Sequence, residues 1–182
     1  MKNFNKVSFL VLAFLFGMFS FEPAFAQVVQ DNMDYESLAV YLWDGAGKFT
    51  NFRNKPKGDI VGKISTEEIV TLAVDRVEKG WWHVVDGQAE VLDGDTKVFN
   101  NGEAWVHYSV LGIGTRNYDG QKLTLRDNPS ETAKAVFSFT DEITLRPMEM
   151  KDGWVKVMTL DGKHTGWIED TWLCGNPVSN CC

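Results

Sequence analysis

The chain has 182 residues, a net charge of -7, 25 acidic against 18 basic side chains, and three cysteines. An acidic chain without a Lys/Arg stripe has no electrostatic footprint for nucleic acid or anionic lipid, because both are held by neutralising phosphate charge. The length suits one ordinary domain or two small ones.

In chain order, the first segment reads as an address. Lys2 and Lys6 precede an apolar run of 13 residues, Val7 to Phe19, and Ala24-Phe25-Ala26 supplies a small-x-small cleavage site. The run is short of the roughly 20 residues a spanning helix needs. A signal peptide over 1–26 is therefore predicted, followed by an exported protein of the periplasm or extracellular space with no membrane insertion after cleavage. Gln27 follows the site instead of Cys, which disfavours a lipid anchor.

After an N-terminal extension over 27–36, the chain turns to strand-like runs: "SLAVYLW", "IVGKI", "EIVTLAV", "WWHVV" and "AWVHYSV". They are rich in β-branched and aromatic residues and are separated by Gly, Asp, Asn and Pro, the pattern of short strands and turns. No stretch sustains a 3.6-residue apolar period over a dozen positions, so an all-β fold is predicted. The cysteines come last, Cys174, Cys181 and Cys182, in a tail over 176–182 and just before it. In an oxidising compartment Cys174 is expected to pair with Cys181 or Cys182, closing a short loop.

The chain repeats itself. "FRNKP" from Phe52 returns as "LRDNP" from Leu125, and "GWWHVV" from Gly80 returns as "GWVKVM" from Gly153, both at a shift of 73 residues. A third landmark, "AWVHYSVLG" from Ala104 against "GWIEDTWLCG" from Gly166, is shifted by 62. The first copy therefore carries an acidic insertion near 86–104, expected as a hairpin. Two domains follow from this, over 37–113 and 114–175, joined by the connector "GIGTRNYDG".

Each copy holds a hydrophobic-Arg pair with Pro three positions on, then Gly-Trp-x-x-Val, then a Gly/Ala-Trp-hydrophobic strand. The residues are Phe52-Arg53 with Pro56, Gly80-Trp81 with Val84 and Ala104-Trp105-Val106, and again Leu125-Arg126 with Pro129, Gly153-Trp154 with Val157 and Gly166-Trp167-Ile168. This order resembles the bacterial SH3-like domain. The resemblance implies two tandem small β-barrels packed on each other and a binding role toward peptidoglycan or peptides. The Asn54-Lys55 turn and the insertion depart from the family pattern, so an altered groove in the first copy is expected.

Chemistry finds little support in the residues. A cysteine peptidase needs an early Cys and a downstream His, and here every cysteine comes last. His83, His107 and His164 lack metal-ligand spacing and read as ordinary surface or strand histidines. "DGDTK" at Asp93 lacks the far bidentate Glu of a calcium loop and reads as a solvated hairpin. Arg53 and Arg126, each ending a strand before a turn, read as ties to the following loop. No catalytic residue, metal or cofactor is expected.

Alternation along a strand puts Trp81 and His83 on one face and Trp82 and Val84 on the other. In the second copy Trp154 shares its face with Lys156, and lysine is rarely buried. Trp81 and Trp154 are therefore expected outward and Trp82 inward. The resemblance implies that the outward Trp lines a ligand groove, which Tyr108, Trp105 and Trp167 would extend. The leading reading is an exported non-catalytic binder of a cell-wall peptide or other peptide. The alternatives are an interaction or inhibitor protein docking on an envelope protein, and a cell-wall hydrolase with an unrecognised site.

Overall fold

The structure is a computed structural model and describes residues 37–179. The expected signal peptide, the N-terminal extension, Cys181 and Cys182 lie outside the described residues. The fold is all-β: short antiparallel strands joined by tight turns, and no described helix is long and apolar enough to cross a membrane.

The first half contains β1 (Leu38–Leu42), β2 (Phe49–Arg53), β3 (Ile60–Ser65), β4 (Val70–Glu78), β5 (Trp81–Val84), β6 (Gln88–Val91), β7 (Lys97–Val98), β8 (Ala104–His107) and β9 (Leu111–Thr115). The second contains β10 (Leu123–Arg126), β11 (Ala135–Phe139), β12 (Thr144–Lys151), β13 (Trp154–Thr159), β14 (Thr165–Glu169) and β15 (Leu173–Cys174). Setting aside β6 and β7, the first half pairs in the order β3-β2-β8-β5-β4-β1-β9. The second half pairs as β11-β10-β14-β13-β12-β9-β15, the same order strand for strand.

β9 belongs to both halves. Its residues Leu111 and Gly112 pair with Leu42 and Tyr41 of β1, while Ile113 and Gly114 pair with Leu145 and Thr144 of β12. Gly114 and Thr115 also pair with Cys174 and Leu173 of β15. The stretch read from sequence as a connector is thus a strand in its first part. The halves meet through backbone hydrogen bonds as well as side chains, and the described residues, 37–179, lie within a single compact unit.

Local chemistry explains the repeated Gly-Trp. β4 turns into β5 through Lys79 (φ 50°) and Gly80 (φ 83°), and β12 turns into β13 through Asp152 (φ 50°) and Gly153 (φ 75°). Two successive positive φ values define the type I′ hairpin, whose twist matches that of the flanking strands, and Gly takes this conformation without a Cβ penalty. The turn sets the register that places Trp81 opposite Glu78 and Trp154 opposite Lys151. Both long strands carry a bulge at the equivalent place, between Val74 and Val77 and between Pro147 and Glu149. A bulge also accommodates the missing N–H of Pro147.

A continuous core runs through both halves, from Val40, Phe52, Val74 and Val84 to Leu125, Leu145, Val155 and Ile168. Trp82 is fully buried, and its indole N–H donates to the Pro147 carbonyl of β12 at 2.9 Å. The seam is reinforced by Tyr41 Oη against Thr144 Oγ1 at 2.9 Å. Arg146 donates to the carbonyls of Trp43 and Leu111, both at 2.6 Å. Burial lowers the Arg146 pKa from its ordinary value, opposed by the nearby charge of Asp44.

The acidic insertion contains the hairpin β6–β7, with β6 also paired to β4. Beyond it Phe99 turns inward and stacks on Phe52, ring centroids 4.4 Å apart and 19° from parallel. Gly62 of β3 faces that ring: a Cβ there would lie 2.1 Å from Phe99 Cδ1. In the second half the position opposite Leu125 is Phe137, as Gly62 is opposite Phe52. A side chain supplied locally in one half is supplied by the insertion in the other.

Candidate functional site

The outer face of each half carries an aromatic cluster at the start of the strand after the I′ turn. In the first half Trp81 lies opposite His107 of β8, their rings 5.2 Å apart and edge-on. His107 in turn packs on Tyr108 at 4.6 Å. The guanidinium of Arg53 sits 5.7 Å from the Trp81 ring, within cation–π range. Trp81, His107 and Tyr108 are all half-buried, so each offers part of its ring to solvent. Burial, and secondarily the charge of Lys57, lowers the His107 pKa from its ordinary value. The ring meets Trp81 edge-on and lies tilted against Tyr108.

In the second half Trp154 lines a recess of about 130 Å³ together with Trp172, Arg126, Lys122, Glu131 and Glu169. Trp172 ends a 3-10 turn, Asp170–Trp172, which follows β14 as Tyr108–Val110 follows β8. The two clusters thus occupy equivalent places: the Trp after the I′ turn, the strand end opposite it, and the 3-10 turn beyond. Each turn is held by the same bond, the amide of Tyr108 to the Gly80 carbonyl at 2.9 Å and that of Asp170 to the Gly153 carbonyl at 3.0 Å.

The two arginines hold loops. Arg53 Nη1 donates to the Gly58 carbonyl at 2.6 Å, and Arg126 Nη1 to the Ala133 carbonyl at 2.8 Å. Each ties the loop that borders its cluster; Arg53 also stands over the Trp81 ring, and Arg126 lines the recess at Trp154.

Trp105 and Trp167, expected to extend the groove, do not. Each is only 7 % exposed. Both lie on the outer face, but a cation roofs each indole: Arg76 stands 5.3 Å from the Trp105 ring and Lys156 5.8 Å from that of Trp167. The Trp105 N–H also donates to Glu103 Oε1 at 2.8 Å. These two tryptophans are floor beneath a layer of charge, so of the five expected ligand-binding residues the structure leaves Trp81, Tyr108 and Trp154 accessible.

His83 departs from the open-face expectation in a related way. It is 6 % exposed, with Nδ1 2.8 Å from Asp75 Oδ1. Arg76 pairs with Asp75 at 3.3 Å and with Glu103 at 3.7 Å, closing a charged lid over the imidazole. The corresponding pair in the second half is Lys156 with Glu149, 3.7 Å apart and more open to water. Transferring openness from Lys156 to His83 fails because a flat imidazole fits under Arg76, whereas an ammonium must reach water.

His164 stacks on Phe137, centroids 4.0 Å apart, and covers the core of the second half. Among the described residues no group of three or more His, Cys, Asp or Glu side chains converges to hold a metal. Cys174 is buried and disulfide-bonded, and its partner sulfur lies outside the described residues.

Sequence reasoning missed Trp172 and His107 as cluster members. The signal was available: the shift of 62 aligns Trp172 with Val110 and Glu169 with His107, at the end of a strand and of the turn after it. Which face of a 3-10 turn meets the hairpin is not written in strand alternation.

No family model matches the chain, and no curated protein does. Among solved structures it is similar to NlpC1 from Trichomonas vaginalis, at 14% identity over 76% of this chain and 45% of that one, with a TM-score of 0.30. It is likewise similar to NlpC2 from the same organism, at 13% identity over 76% of this chain and 48% of that one, also with a TM-score of 0.30. The chain spans about half the length of these two structures.

Proposed function

We propose that the chain is an exported, non-catalytic binding protein built from two SH3-like repeats, which recognises a cell-wall peptide or another peptide through its aromatic clusters. The observation that carries this reading is the equivalence of the two clusters, with Trp81 and Trp154 part-exposed at the same place in each half, beside an arginine-fixed loop. Flat aromatic surface next to a rigid loop suits stacking and desolvation of a peptide backbone or its apolar side chains. Two repeats with the same strand order and the same turn before the Trp support the SH3-like reading.

A catalytic role finds no comparable support. Among the described residues the one tight carboxylate–imidazole pair, Asp75 with His83, has its remaining ring nitrogen, Nε2, buried without a hydrogen bond and facing Glu103 at 3.6 Å. A general base must reach the proton that it removes, and this nitrogen faces a carboxylate beneath a closed lid.

The test is a pull-down on purified sacculi, followed by isotherms with soluble cell-wall peptides. Trp81→Ala and Trp154→Ala are each expected to weaken binding by more than about 1 kcal/mol, as for aromatic anchors. Their melting temperatures are expected to fall far less than that of Trp82→Ala. Equal unfolding of all three variants, or full binding by the Trp81→Ala/Trp154→Ala double variant, would remove the clusters from the site.

A further inference from the structure

A second surface lies apart from both aromatic clusters, at the seam between the halves. Two cavities of about 510 and 410 Å³ flank Trp43, and both are lined by Tyr41, Trp43, Pro177 and Val178. Trp43, Ile69 and Val178 are exposed by 46%, 43% and 53%, an apolar strip in open water. Scattered apolar residues are ordinary, but a contiguous strip inside a groove marks an interaction site.

Trp43 is held rigidly. Its amide donates to the Val110 carbonyl at 2.8 Å, its own carbonyl accepts from Arg146 at 2.6 Å, and its ring meets Tyr41 edge-on at 6.1 Å. An indole fixed before binding loses little freedom when a ligand covers it.

The charge of the groove has one sign. Its two linings contain Asp44, Glu67, Glu68 and Glu142 and no lysine or arginine. Asp44 is engaged by Thr50 Oγ1 and the Ala46 amide, and Glu142 by the Asn117 amide. Glu67 and Glu68 are exposed and make no ion pair among the described residues. Arg146, the nearest cation to Trp43, points its N–H groups at backbone carbonyls of the seam. An apolar floor with an acidic rim complements Lys or Arg set beside apolar side chains, and it repels carboxylate-rich ligands. A second copy of this chain, with its net charge of -7, is a poor occupant.

We propose that the groove on either side of Trp43 docks a cationic, apolar peptide segment of a partner protein. None of its residues belongs to the clusters at Trp81 or Trp154, so the failure of either proposal leaves the other standing. The probe is a fluorescently labelled Lys-Leu-Lys-Val-Lys-Leu peptide followed by anisotropy with the full chain, beside its counterpart with Glu for Lys.

The Lys peptide is expected to bind, more weakly as salt rises, and the Glu peptide not to bind. Trp43→Ala and the pair Glu67→Gln/Glu68→Gln are each expected to raise Kd by about fivefold or more. The pair lies on an exposed turn and keeps the fold testable if Trp43→Ala fails to fold. Glu78→Gln/Asp152→Asn removes the same charge from the exposed tips of the β4–β5 and β12–β13 hairpins, at the ends of those strands away from the groove, and is expected to leave Kd within about twofold. No binding, equal binding of both peptides, or an equal loss in the Glu78/Asp152 control would overturn the proposal, the last by showing attraction to net charge alone.

Discussion

Trp82→Ala is expected to lower the unfolding free energy by about 3–5 kcal/mol, the cost of truncating a fully buried large aromatic. Two losses combine. The side chain is wholly removed from solvent between β4, β8 and the second half, so its deletion leaves a void in a close-packed interior. The Pro147 carbonyl also loses its donor, and a buried acceptor without a partner costs about 1–3 kcal/mol. Trp82→Phe separates the two, because it fills most of the space and removes only the N–H. Urea titrations measure both, with the midpoint shifting and the slope unchanged if the unfolded state is unaffected. A Trp82→Ala midpoint no lower than that of Trp81→Ala would contradict this packing.

Phe99→Ala is expected to destabilise by about 3–5 kcal/mol as well, although it lies in an insertion that the second half lacks. Loop residues generally tolerate change, but this one is 7 % exposed and stacked on Phe52. Gly62 supplies a second arm. Gly62→Ala brings a methyl within 2.1 Å of the Phe99 ring and must displace it, so it is expected to destabilise the wild-type chain. In a Phe99→Ala background the same methyl enters empty space and is expected to cost little. A double-mutant cycle followed by thermal melts reads this coupling directly. Additive effects would mean that Phe99 and Gly62 do not share one space.

These two residues show what the chain discloses before folding and what it withholds. The all-β class, the duplicated landmarks and the inward turn of Trp82 follow from local pattern, since alternation fixes the face and Gly-Trp marks the hairpin. Arg53 and Arg126 are similarly local, each reaching a carbonyl five to seven positions on. The partner of Trp82 is not local, because Pro147 lies 65 residues away and alternation fixes a direction, not what waits there. Phe99 is hidden for the same reason: a lone Phe in an acidic, Gly-rich hairpin carries no period.

The candidate site was half legible. The outward Trp81 and Trp154 followed from alternation, while Tyr108 came only from what the SH3-like resemblance implied. Trp105 and Trp167 misled because exposure on a strand face depends on what neighbouring strands lay across it. Lys156 reaches over its indole from the adjacent strand and Arg76 reaches from β4 across β5, and Asp75 with Glu103 completes the cover above His83. Such a cover is a property of three strands in register and has no signature in any one of them.

The double use of β9 bears on how the molecule comes apart. A cut before Leu111 deprives the first half of its closing strand and leaves the second half with Leu111 and Gly112 stripped of their β1 partners. A cut after Thr115 leaves the first half intact in sequence but bares the backbone of Ile113 to Thr115, which β12 and β15 had covered. An uncovered strand edge of this kind is a template for wrong pairing. No scission point yields two complete pieces, so the halves are expected to melt in one cooperative step, and duplicated architecture here does not bring modularity.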